Sequence, residues 1–271
     1  MHTLRNRLIF YGGTAAAGLG SLALCRSLLE NCIDDKGLLI RGSLEGALLW
    51  AVGIAFAALL LWTVRTVGGD GTYDDNFPES NTAGILMIAA GLMMARAIPG
   101  LDPGTDPAVL AAPVQTVMDA AGRYLPWAAS VSMGVLGVYR MFGKRPMPIF
   151  GGVICLFYMT MLVNNYRLWS ADPQLHDYAY QLLAGGALML CSFHRTCCDA
   201  NIIQRKRLLT TGLMAAVCAA AALSGDFQRE FYLASAMWAV GSLCTVQTLP
   251  PDPEEEDEAP ETDGEPAEEE I

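Results

Sequence analysis

Charge is scarce in this chain, and several long runs have none. Only 17% of the 271 residues are charged, against 53% hydrophobic. A soluble α/β chain would break into short strands and amphipathic helices, and neither pattern is present. Segments of about 17–25 apolar residues suffice to cross a hydrocarbon core of roughly 30 Å. Acidic residues are nearly missing from the centres of these segments, where proton- or ion-coupled carriers usually place them. Paired interrupted hydrophobic segments, the best sequence pointer to a carrier, are missing as well. The sequence has no P-loop, no H-E-x-x-H and no G-x-S-x-G, which removes the commonest nucleotide, zinc-protease and serine-hydrolase signatures. Eight cysteines are present, but without a C-x-x-C or a regular spacing, so neither a disulfide framework nor a zinc ribbon follows. Most lie in apolar runs, where free cysteine serves as a small buried hydrophobe. Basic clusters occur only in short loops, which gives nucleic-acid binding no support.

What is present is a succession of apolar runs. They predict an all-α, polytopic integral membrane bundle of about eight transmembrane helices in hairpin pairs. The expected spans are 8–29, 42–64, 83–98, 124–142, 147–163, 178–194, 208–224 and 230–249, which together make one transmembrane domain over 1–249. The first begins after Arg5 and Arg7 and has the shape of a secretory signal, yet it is long for one, and Leu24 before Cys25 does not suit a lipoprotein cleavage site. It reads as an uncleaved helix. Its Gly18-x-Gly20-x-x-Ala23 lacks the strand and amphipathic helix that a dinucleotide fingerprint requires. Gly12, Ala16 and Gly20, and later Ala47, Ala51 and Ala55, form small-residue stripes of the kind that let helices approach closely in lipid. Residues 65–82 read as a Gly/Asp loop. Its Asp70, Asp74, Asp75, Asn76 and Glu79 offer oxygen ligands, but their spacing is not that of an EF-hand. Residues 114–123 form an amphipathic stretch suited to the membrane surface. Glu45 suits the positive end of its helix, and Arg96 can snorkel to the headgroups.

The net charge of −11 belongs to one end of the chain. Residues 250–271 hold 12 acidic residues and no basic ones, which leaves 16 acids against 17 bases in the body. This segment lacks the hydrophobicity to fold, so the expectation is a disordered acidic tail. With the amino terminus inside and eight spans, ten lysines and arginines fall inside and seven outside. The bias is strongest in the second half, around Lys144–Arg145 and Arg205–Arg207. Both termini are then cytoplasmic, in the plasma membrane. The overall pattern resembles bacterial-type polytopic membrane proteins in general.

Two groups of residues carry chemistry. The first is the polar stretch 164–177 with the start of the next helix. Tyr166, Trp169, Tyr178 and Tyr180 suit a headgroup boundary, Asp172 and Pro173 suit a helix start, and a guanidinium at Arg167 suits a lipid phosphate. The alternative for the same residues is a ligand pocket. In that reading Arg167 binds an anion, Trp169 forms a wall, and His176 and Asp177 hydrogen-bond or move protons, with Tyr180 on the face of His176. The second group is Cys191, His194, Cys197, Cys198 and Asp199. Cys191, His194 and Cys198 share one helical face and offer sulfur, nitrogen and sulfur to a transition metal such as zinc, although a single helix rarely surrounds a metal. Packed thiols beside an interface histidine are the plainer reading, so no cofactor is expected. The functional expectation is a non-catalytic scaffold or accessory subunit of a membrane complex, in contact with the lipid bilayer and with a membrane-protein partner or a basic cytoplasmic partner of the acidic tail. The alternatives are a small-molecule or lipid transporter with its site near 164–177, and a membrane enzyme or metal/redox protein using 191–199.

Overall fold

The computed structural model describes residues 2–32, 43–66, 73–101, 112–169, 176–225 and 228–244. Among them the chain is all-helical, with eight long helices and no strand. In order these are α1 (His2–Asn31), α2 (Leu44–Thr66), a single turn α3 (Tyr73–Asn76), α4 (Asn81–Ala97), α5 (Ala112–Met141), α6 (Pro148–Trp169), α7 (His176–Asp199), α8 (Arg205–Ala222) and α9 (Arg229–Cys244). Three helices are long and apolar enough to cross a membrane, over Leu44–Arg65, Asn81–Gly100 and Pro148–Arg167. The acidic segment 250–271, the last expected span beyond Cys244, and the helix start at Asp172–Pro173 lie outside the described residues.

Consecutive helices from α4 to α9 pack on one another, and α9 returns to α4, so six helices close into a ring. Large side chains fill its centre. Met87 and Met94 of α4, Met133 and Leu136 of α5, Phe157 and Tyr158 of α6, Leu188 of α7 and Trp238 of α9 are all buried. The polar groups among them are paired: Tyr158 Oη with Ser235 Oγ at 3.2 Å, and Trp238 Nε1 donating to Ser192 Oγ at 3.2 Å. Buried polar groups without partners would cost free energy, and these pairings join α9 to α6 and α7 across the centre of the ring. The α1–α2 hairpin lies outside the ring, against α8.

The boundaries depart from the hydrophobic runs where a helix outlasts its apolar stretch. Residues 112–141 form one helix through Pro126, not a surface segment followed by a separate span. Proline removes one backbone donor and crowds the preceding turn, yet the helix continues past it. α6 continues to Trp169, so the first half of the polar stretch is helix and not loop. Nothing in Asn164-Asn165-Tyr166 forbids a helix, and Arg167 in the last turn suits the negative end of the dipole. The loop expected at 65–82 contains α3, which ends at Asn76, one residue short of Phe77, whose place before Pro78 disfavours the helical conformation.

The closest backbone approach is also not where the small-residue stripes put it. Gly12 and Gly20 face open space, and Ala16, Ala47, Ala51 and Ala55 are exposed. α1 instead buries Gly18, Ser21, Cys25 and Leu28, and Cys32 just beyond it is buried too. The tight contact is between α4 and α5. A Cβ on Gly91 would stand 2.7 Å from the Ser130 carbonyl oxygen, and one on Gly137 would stand 2.7 Å from the Gly84 carbonyl oxygen. There the Ser130 hydroxyl donates to the Gly91 carbonyl at 2.8 Å.

Candidate functional site

The densest polar constellation lies at the end of the ring where α5 and α7 stop. Both helices finish in the same way. Gly143, at φ +59°, lets the Lys144 amide reach the Tyr139 carbonyl at 3.0 Å and its own amide reach the Arg140 carbonyl at 3.3 Å. Asn201, at φ 70°, does the same for α7: the Ile202 amide bonds the Cys197 carbonyl at 2.8 Å and the Asn201 amide bonds the Cys198 carbonyl at 3.0 Å. These are Schellman closures with a left-handed residue, glycine in one case and asparagine in the other. They place Arg140 and Asp199 in the last turns of antiparallel neighbours of α6.

Arg140, Arg195 and Asp199 are all fully buried. Arg195 lies one turn before Asp199, with Nε 3.3 Å from Oδ1. Arg140 Nη2 approaches the same Oδ1 at 3.5 Å and donates to the Tyr73 hydroxyl at 2.7 Å. The Tyr73 hydroxyl in turn donates to Asp199 Oδ1 at 3.2 Å. Burial pushes the Tyr73 phenol up to about 12, so at neutral pH it is a neutral donor. Phe77 completes the cluster: the guanidinium carbons of Arg140 and Arg195 both stand 4.5 Å from its ring centroid. A desolvated cation over an aromatic face gains about 2 kcal/mol. From outside, Arg145 Nε donates to the Asp199 backbone carbonyl at 2.8 Å and so satisfies an otherwise open helix-end acceptor. Two buried guanidiniums thus share the Asp199 carboxylate. The cluster ties α3, α5 and α7 together through hydrogen bonds and ion pairs.

The sequence-predicted residues fall differently. Arg167 is in the last turn of α6, half-exposed. Tyr180 shares a hydrogen bond with Cys25 of α1. The side chains of Trp169, His176 and Asp177 lie outside the described ones. Of the second group, Cys191 points to Gly212 of α8 and is buried, Cys198 is buried, and His194 hydrogen-bonds Gln204 with its ring 5.4 Å from that of Phe193. Among the described residues no three His, Cys, Asp or Glu side chains come together to hold a metal ion. Asp199 alone of that group enters the buried cluster. Arg140 and Arg195, in sequence mere orientation signals, are its core, and Tyr73 and Phe77 sit in what read as a polar loop. The local signals available were the i, i+4 pairs Arg195–Asp199 and Tyr73–Phe77.

A second feature lies at the opposite end, where Arg96 of α4 pairs with Glu230 of α9 at 3.1 Å. Between α1 and the α8–α9 turn a cleft of about 420 Å³ is lined by Leu19, Leu22, Ala23, Arg26, Leu223 and Arg229. Arg26 pairs with Glu30 at 2.8 Å at its mouth.

In comparisons with known proteins, no family model matches the chain, and neither a curated protein nor a solved structure does.

Proposed function

We propose that this chain is a non-catalytic accessory or scaffold subunit of a membrane complex. In this reading its eight long helices span the plasma membrane, with both termini and the buried arginine cluster at the cytoplasmic end. One observation carries the reading. α2 is strongly apolar, yet it presents most of that surface outward: Trp50, Ile54 and Leu61 are 77%, 68% and 63% exposed. Such a face needs lipid or another apolar helix against it. The filled centre of the ring favours a scaffold over a carrier, because side chains such as Met133, Tyr158 and Trp238 occupy the place where a pathway would run. The basic residues Lys144, Arg145, Lys206 and Arg207 on the cluster's end suit a cytoplasmic face.

The test is native mass spectrometry of the full-length protein, extracted gently in detergent. A co-purifying membrane subunit at fixed stoichiometry is the expected result, and truncation after Leu249 is expected to leave the fold intact while losing a basic partner. A bare chain with no subunit at any detergent concentration would count against the reading.

The cleft favours a second reading, that of a lipid-handling protein. Its leucines suit an acyl chain, while Arg26 and Arg229 suit an anionic headgroup. Here the site moves from 164–177 to the α1 surface. A phospholipid adduct in the same spectra, lost on Arg229→Ala, would support it, and an adduct-free protein would exclude it.

A further inference from the structure

We infer that the acidic segment 250–271 docks on the basic end of its own helical ring, so that a basic partner must displace it. This goes beyond the accessory-subunit reading and does not depend on it.

The argument starts from where α9 stops. Near its end, a Cβ on Gly241 would stand 3.5 Å from the Ala83 carbonyl oxygen, in the first turn of α4. That turn is tied to the arginine cluster, because the Ser80 amide bonds the Arg140 carbonyl at 3.4 Å. On its other side α9 meets α8, where Leu243 packs on Gly212. Lys206 is six residues before Gly212, about 9 Å along the helix. The chain therefore leaves the ring at the end that carries Lys144, Arg145, Lys206 and Arg207.

Those four side chains are exposed, and the described exposed carboxylates near them are only Asp74 and Glu79. Beneath them lie the buried guanidiniums of Arg140 and Arg195, with Arg145 joined to that cluster through the Asp199 carbonyl. The first acid of the segment, Asp252, is eight residues beyond Cys244. Eight residues reach at most about 26–29 Å, ample to cover Lys206 and its neighbours. Twelve acids and no base then face this surface at high effective concentration. An anionic lipid surface would repel the same segment, so the nearest complementary charge is the protein's own.

The chain has only three lysines, Lys36, Lys144 and Lys206. Two are on the basic end, and Lys36 lies in the sequence between α1 and α2. A carbodiimide, which joins a carboxylate to a lysine amine through an amide, therefore reads the docking site directly. The full-length protein is treated in phosphatidylcholine nanodiscs, digested and mapped. The expected product is an amide between residues 250–271 and Lys206 or Lys144, within one chain, lost in about 1 M salt, where the screening length falls to about 3 Å. Three results would overturn the inference: amides to Lys36 alone, amides only between two chains, or no lysine amide while added glycine ethyl ester still labels the segment. Repeating the experiment with phosphatidylglycerol discs adds a fourth, since complete loss of the amide there would assign the basic end to lipid headgroups.

Discussion

At the residue scale, Asp199 decides most. Its carboxylate contacts both Arg140 and Arg195, and all three are fully buried. Removing one partner of a buried ion pair costs about 3–5 kcal/mol, because the remaining charges lose their compensation. Asp199→Asn is therefore expected to lower the unfolding free energy by about that much, read as a shift in reversible unfolding in mixed micelles. A change below about 1 kcal/mol would mean that the two guanidiniums are neutralised otherwise. Tyr73→Phe should cost less, about 1–3 kcal/mol, since it removes hydrogen bonds but no charge. Tyr73 also sets a pH dependence. Its phenol is raised from 10.0 to about 12 on folding, so its contribution is complete below pH 10 and is lost as pH rises towards 12. In Tyr73→Phe that part of the alkaline loss should be gone, as measured by unfolding at stepped pH beside the parent. Little of this was legible in the sequence. Positions 73, 140 and 199 meet only through tertiary packing, and an arginine at a helix end reads equally well as a snorkelling cation or a buried one.

At the element scale, the apolar runs located all eight long helices, since sustained hydrophobicity over some 16 or more residues has few other outcomes. Their ends were less legible. α6 ran on through Asn164-Asn165 and α5 ran on through Pro126, because helix continuation depends on what the backbone packs against as well as on propensity. Small-residue spacing was the weakest guide. It matched α1 and α2, whose stripes face outward, and passed over Gly84, Gly91 and Gly137, where α4 and α5 touch. The contrast can be measured. Gly91→Ala and Gly137→Ala would force a methyl against a carbonyl oxygen and should each destabilise the protein by about 1–3 kcal/mol. Gly12→Ala and Gly20→Ala, with nothing within 4 Å, should stay within about 0.5 kcal/mol of the parent in the same unfolding assay. Equal effects at the four sites would mean that α4 and α5 do not meet so closely.

At the scale of the whole molecule, the question is what covers α2. Three described helices are long and apolar enough to cross a membrane, and α2 is the one that gives least of itself to the interior. A buried core would explain an apolar helix, but α2 gives the core only the partly buried Phe56, Leu60 and Trp62: the ring closes without it, and α1 packs along another side. Ile54 sits near its midpoint and is 68% exposed, so a charge there tests the environment directly. In water, Ile54→Asp would place a carboxylate on a solvent-facing position and change little. In lipid, an aspartate at the centre of a helix costs about 2.5–3.5 kcal/mol on insertion, which is roughly a hundredfold in the inserted fraction. The expected outcome is a sharp fall in protein that resists alkaline extraction from membranes, with Leu44→Asp at the helix entrance as the tolerated control. If Ile54→Asp inserts and accumulates as the parent does, lipid does not cover this face. The partner subunit would then have to cover it, and the same substitution should dissociate that subunit at unchanged abundance of the chain.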